Sequence, residues 1–291
     1  MSTPVICAYA RTPFGRFRGA LANYTAVELG TLAVEGVLER AGIDPHSGII
    51  DQVYMGQVLQ AGAGQAPARQ VAIAAGLPYS TPCTTINKVC GSSLKAAMVA
   101  ATEIMAGKSN VVIAGGMESM SQAPHFIRGA KRGDEISFAE LTGILSHDGL
   151  KDAYDGSMMG ITGETIAKEA NISRSESDRY ALRSHTLSDS AWENGWLAEE
   201  VVSIDELERD EGIRIDTSVE GLAGLRTVFK DDGQVTAGNA SQVSDGGSAV
   251  LIASEEIANE NGWPILAKII DYVTSGAVSY THLTLPTNRE V

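Results

Sequence analysis

The residues most suited to chemistry in this chain lie between Thr85 and Ala96, in the run Thr85-Ile86-Asn87-Lys88-Val89-Cys90-Gly91-Ser92-Ser93-Leu94-Lys95-Ala96. Thr81 to Asn87 reads as a strand, and the apolar residues after Cys90 read as a helix, so the chain turns through a cysteine directly into a helix N-terminus. Unpaired backbone N–H groups and the helix macrodipole favour a thiolate at such a point. Gly91 and the small Ser92 and Ser93 are expected to leave space above the sulfur for a carbonyl group. A sulfur so placed suits acyl transfer through a thioester. The residues alone also allow a plainer role, since a free cysteine often serves as a small hydrophobe. Cys7 and Cys83, each inside a strand-like run, are assigned that role. Three cysteines without metal-ligand spacing fit a reduced, cytoplasmic setting better than a disulfide framework.

The elements that position this turn follow from local signals. Val5 to Ala10 reads as a strand that ends in the loop Arg11-Thr12-Pro13-Phe14-Gly15. Thr25 and Glu28 form a capping box, Leu29, Leu32, Ala33, Gly36 and Val37 share one face, and Gly42 is the stop, which predicts a helix. Asp51 to Val58 reads as a strand, Ala66-Pro67 opens a short helix ending at Gly76, and Asn110 to Ala114 is a further buried strand. In the helix after Cys90, apolar residues from Leu94 to Met105 cover most of the circumference, which predicts cover on more than one side. The alternation of strands and helices predicts an α/β fold with a parallel sheet between helices.

From Ser121 the pattern turns charged, irregular and mostly helical, and Ser173 with Glu176 opens a helix running to about Asn194. Ser248 to Ala253 returns to a strand, Ser254 caps a short helix, and Ile265 to Val273 reads as one more strand. The formal charge of -14 is uneven: residues 1–120 hold 8 Lys+Arg against 7 Asp+Glu, and the remainder holds 14 against 29. That acidic surface argues against nucleic acid or an anionic membrane as a partner. No apolar run reaches membrane-spanning length, and the first residues lack a secretory pattern.

The run around Cys90 resembles the nucleophile segment of the thiolase family, and four more segments agree in order and spacing. Ala8 to Gly15 is similar to the family's opening strand and loop, and Ala114-Gly115-Gly116-Met117-Glu118-Ser119-Met120-Ser121 to its glycine-rich segment. His147-Asp148-Gly149-Leu150 with Met159-Gly160 resembles the substrate loop, and Val235-Thr236-Ala237-Gly238-Asn239-Ala240-Ser241 the coenzyme A loop. The resemblance implies a layered α-β-α-β-α fold, present here as its N-terminal half plus a loop domain. Its expected parts are residues 1–120 with 243–264 as the N-terminal α/β domain, 121–242 as an inserted substrate and coenzyme A loop domain, 265–276 as the first strand of an absent C-terminal domain, and 277–291 as a tail unlike the family.

The resemblance also implies the chemistry. Cys90 is the acyl acceptor, and Leu150, Met159, Arg214, Phe229, Ala237 and Ser241 line a coenzyme A tunnel. The substrates are acyl-CoA and coenzyme A, with no permanently bound cofactor and no metal, and the complete protein is a homodimer or homotetramer. The reaction is Claisen condensation of two acyl-CoA molecules or thiolysis of a 3-ketoacyl-CoA. Met158 stands where many biosynthetic members have a histidine, which implies a pocket shaped for a different acyl chain. The family's Asn-Glu-Ala-Phe, Gly-His-Pro and Cys-x-Gly segments do not occur in the chain, so an N-terminal portion without turnover of its own is expected. The alternatives are a condensing enzyme of the ketoacyl-synthase type and a non-catalytic acyl-CoA-binding fragment.

Overall fold

A computed structural model describes residues 2–274 and 276; the tail expected over 277–291 lies outside the described residues. The chain forms two compact units. Of the described residues, the first comprises 2–149, 195–212 and 242–272, and the second 150–194, 213–241 and the few from 273 on. The segment 121–242 is therefore shared, with 121–149 and 195–212 packing with the first unit.

The first unit is built on one sheet. Strand β1 is Pro4–Arg11, followed by the two-residue β2, Gly15–Arg16, and helix α1, Ala26–Ala41. The capping box at Thr25 forms as the sequence predicts: Glu28 N–H donates to the Thr25 hydroxyl, and Thr25 N–H to the Glu28 carboxylate. Such a cap contributes about 1 kcal/mol. Gly42 ends the helix at φ +64°, where a side chain would strain the backbone. Strand β3, Gln52–Gly56, leads to α2, Pro67–Ala74, then β4, Cys83–Ile86, α3, Ser92–Met105, and β5, Val111–Ser119. Short strands β6, His125–Phe126, and β7, Thr142–Gly143, pair with each other.

Strand β8, Ser244–Ser254, precedes α7, Glu255–Glu260, capped by Ser254, and the two-residue β9, Ala267–Lys268. The sheet order is β4-β3-β5-β8-β1-β9. Strands β4, β3 and β5 are parallel, but β8 lies antiparallel between β5 and β1. The sheet is thus mixed, where strand and helix alternation predicts a parallel one. No crossover helix brings β8 back: the long excursion after Ser119 returns at the same end, so that Asp245 faces Ser119 and the strand runs the opposite way. The strand predicted over Ile265–Val273 shortens to β9, which pairs with Val5 and Ile6 on the free edge of β1.

Helices cover both faces. On one side Ala33, Val34 and Val37 of α1 and Val71 of α2 join Val53, Ile113 and Leu251 in the main core, each large aliphatic contributing about 1.5–3 kcal/mol when buried. On the other side Ala96, Ala100 and Ile104 of α3 pack on Tyr54, Val112 and Ile252. Among the described residues the expected all-round cover of α3 is not present. The helix buries one stripe, and Leu94 is 64% exposed, because a single sheet can cover only the side it faces.

The second unit holds α4, Met159–Glu169, α5, Arg174–Glu193, and α6, Val219–Ala223, joined by long loops. The capping box of α5 forms at Ser173 and Glu176, and Asn194 ends the helix.

Candidate active site

Cys90 sits in the turn between β4 and α3 and is exposed. The residue before it, Val89, holds φ +49°. That left-handed geometry is disfavoured for a β-branched residue and costs of order 1–3 kcal/mol. The turn is stitched by Ser92, whose hydroxyl accepts the N–H of Lys88 at 2.8 Å and donates to the Val89 carbonyl at 2.5 Å. Gly91 N–H donates to Lys88 O, and Ser92 N–H to Val89 O. No side chain caps α3, whose N-cap is Gly91, in contrast to the capped α1 and α5. Its first-turn N–H groups therefore meet no competing carboxylate or hydroxyl cap beside the sulfur.

Ser92 and Ser93 are small for a reason the sequence does not reveal. They seat the helix start on the sheet: a Cβ built on Gly56 would lie 2.6 Å from Ser93 N and 2.7 Å from Ser92 Cβ, and one on Gly116 2.7 Å from Ser93 Cβ. These glycines let α3 begin directly over the carboxyl ends of β3 and β5, the edge at which open α/β sheets place their ligands.

The other two cysteines differ in setting. Cys7 is 2% exposed, and burial pushes its thiol up to about 11 despite a backbone hydrogen bond. Cys83 is half-buried, and burial raises its thiol too, partly offset by Arg69 nearby. Its thiol donates to Thr81 O at 3.3 Å.

Around the turn are residues that periodicity and composition pass over. Glu118, half-buried after the glycine pair of β5, accepts the N–H groups of Val58 at 2.9 Å and Leu59 at 3.2 Å. Burial raises its carboxyl, and these two hydrogen bonds act against that rise. Asn87 donates to Val58 O at 3.3 Å and accepts the N–H of Val89 at 3.0 Å. A lone acid near the end of an otherwise apolar strand with a glycine pair is the signal that could have drawn notice to Glu118.

The second unit contains the other six expected residues. Leu150 ends the π-helical turn Leu145–Leu150 and precedes Lys151, which bridges to Met158, so Leu150 and Met159 flank one bridged pair. The Phe229 ring lies against Gly160, next to Met159, at a distance that leaves no room for a Cβ there. A bridge between Thr227 and Thr236 joins the Phe229 segment to the loop of Ala237 and Ser241. Glu164 holds the start of that loop by accepting the N–H groups of Gln234 and Val235, the latter at 2.7 Å. Asn239 fixes its middle by accepting from Thr236 N–H and donating to Gln234 O and to the buried Asp178. Asp178 in turn takes Arg174 Nε at 2.7 Å. Arg214 is exposed, and its backbone N–H donates to Nδ1 of His185 at 3.2 Å. Burial, then the Arg214 charge, lowers the His185 ring below its ordinary value.

Comparison with known proteins gives concordant matches. A family profile described as thiolase, N-terminal domain, matches residues 4–256. A probable acetyl-CoA acetyltransferase of Escherichia coli K12 is 44% identical over 284 residues, covering 95% of this chain and 72% of that protein. An acetyl-CoA acetyltransferase of Pseudomonas aeruginosa is 43% identical over 285 residues with the same coverage. Among solved structures, the Acat5 thiolase of Ascaris suum in complex with coenzyme A superposes with a TM-score of 0.85 at 36% identity, covering 92% of this chain and 70% of that one.

Proposed function

Because the chain belongs to the thiolase family, we propose that it moves acyl groups between coenzyme A thioesters by way of an acyl thioester on Cys90. The observation that carries this is the exposed Cys90 beside the uncapped start of α3, at the carboxyl edge of the parallel strands. The sulfur, as thiolate, attacks the acyl carbonyl carbon. The carbonyl oxygen takes up negative charge, for which the backbone N–H of Cys90 is the donor offered by this turn. Collapse breaks the bond to the coenzyme A sulfur, which leaves as a thiolate and takes the proton that Cys90 gave up. In condensation the α-carbon of a second acyl-CoA, having lost a proton to a base, attacks the acyl carbon and frees Cys90. Thiolysis runs the same bonds in reverse.

The second unit supplies the coenzyme A contacts in this reading, with Leu150, Met159, Phe229 and Ala237 offering apolar surface, Ser241 a hydroxyl for the pantetheine arm, and Arg214 a charge for the phosphates. The division into an N-terminal α/β domain and an inserted loop domain over 121–242 belongs to the same proposal. So do a homodimeric or homotetrameric complete protein, a cytoplasmic setting and a place in fatty acid metabolism. No described helix is long and apolar enough to cross a membrane.

The test is incubation with acetyl-CoA, proteolysis under acid and mass mapping. Acetyl on Cys90, lost on adding free coenzyme A, is the expected result. Acetyl on Cys83, or on no cysteine, would sink the proposal.

A further inference from the structure

Strands β4, β3 and β5 are neighbours in the sheet, and Asn87 just beyond β4, Val58 just beyond β3 and Glu118 near the end of β5 are tied in series toward the nucleophile. The Glu118 carboxylate holds the N–H groups of Val58 and Leu59. The Val58 carbonyl receives Nδ2 of Asn87, and Oδ1 of Asn87 receives the N–H of Val89. The Asn87 amide supplies a donor and an acceptor on separate atoms, and only in this orientation do both bonds form. Val89 is the strained residue, and the next residue is Cys90.

The loop after β3 does not choose its own shape. Gln57 is 2% exposed, yet its Oε1 has no hydrogen-bond partner among the described residues, while its Nε2 donates to Leu59 O. An unsatisfied buried acceptor in the loop after β3 and a left-handed valine in the turn before α3 are two local costs, in segments that Asn87 ties to each other through Val58. Such costs persist where surrounding contacts over-determine the geometry. Here the over-determining contacts are those of Glu118 and Asn87.

We infer that Asn87 and Glu118 are positioning residues for Cys90, holding Val89 in its left-handed geometry through the Val58 peptide and so setting the thiol at the open start of α3. Its consequence for catalysis rests on the acyl-Cys90 reading; the geometric claim does not.

The experiment follows the reaction of Cys90 with iodoacetamide at neutral pH by peptide mass mapping, in the parent chain, Asn87→Ala, Glu118→Gln and the double variant Asn87→Ala with Val89→Gly. Asn87 is exposed, so its loss leaves the core intact. The expected result is labelling about tenfold slower in Asn87→Ala and Glu118→Gln, on the scale set by losing one strained conformer. Cys7 and Cys83 stay as protected as in the parent, whereas a merely structural role would expose them. Glycine accepts positive φ without a clamp, so the double variant recovers most of the rate.

Parental labelling in Asn87→Ala, or a slowed rate that Val89→Gly fails to restore, would overturn the inference. If Glu118→Gln does not fold, the two Asn87 variants decide alone. Acetylation by acetyl-CoA run in parallel separates the two claims. A parent that takes no acetyl while the labelling pattern holds defeats acyl transfer only, and equal acetylation of parent and Asn87→Ala defeats positioning only.

Discussion

Gly56 and Ser93 approach so closely that a side chain on the glycine would have the serine backbone nitrogen as its nearest neighbour, at 2.6 Å. Backbone cannot swing aside as a flexible side chain can, so Gly56→Ala must lift the first turn of α3 from the sheet. A loss of about 1–3 kcal/mol is expected, together with slower labelling of Cys90. Urea unfolding at neutral pH checks the first. A Gly56→Ala chain as stable as its parent would show that the turn has slack the packing does not suggest.

Limited iodoacetamide at neutral pH is expected to modify Cys90 first, then Cys83, then Cys7. Cys7 is buried, with its thiol pushed up to about 11, and burial raises the Cys83 thiol as well. Peptide mapping over a time course ranks the three, and faster labelling of either strand cysteine in folded protein contradicts the order.

His185 gives the second unit a pH dependence. Its ring ionises below the ordinary 6.5 in the folded chain, so between that lowered value and 6.5 the unfolded chain binds more protons. Stability then rises with pH through this window and is lost as pH falls through it. Protonation also removes the acceptor for the Arg214 N–H. His185→Gln, which keeps an acceptor but no charge, is expected to lose less stability than the parent between pH 7.5 and pH 5.5 in urea titrations. Coenzyme A binding by Arg214→Ala, measured at pH 7.5, is expected to be about tenfold weaker, the scale of one charge-assisted contact. Parental affinity there removes Arg214 from the proposed coenzyme A site.

The purified 291-residue chain is expected to accept an acetyl group on Cys90 but not to turn over acetoacetyl-CoA. None of its histidines stands in a Gly-His-Pro segment, and no cysteine follows Cys90. A missing base costs roughly 10² to 10⁴ in rate, and each missing oxyanion donor about 10² to 10³. A thiolysis assay on this chain and on a version extended with those segments decides it; equal turnover by both would refute the expectation.

What the sequence discloses here is what is local. Thr25 with Glu28, and Ser173 with Glu176, announce their helices because each cap closes within one turn of chain. The site around Cys90 is only half disclosed. The cysteine and its helix are adjacent in sequence, but Glu118, Val58 and Asn87 meet only because β5, β3 and β4 are neighbours in the sheet. The strand predicted to run to Val58 stops at Gly56 for the same reason, since Val58 and Leu59 turn to Glu118. The direction of β8 depends on where a long excursion returns, which no window of residues encodes.

The central place of β8 also sets an order of events during synthesis. Residues 4–11 leave the ribosome long before residues 248–254, their inner neighbour, and the same strand joins them to β5. Until it arrives, β1 and β5 each present an open edge, and closing so large a loop costs entropy before any pairing returns it. Contacts this distant in sequence make for slow folding, and the waiting edges are the kind to which chaperones attend. The cysteine turn depends on Val58, just beyond the parallel strand β3, and on Glu118 of the parallel strand β5, all within residues 52–119, so its supports are complete long before β8 joins the sheet.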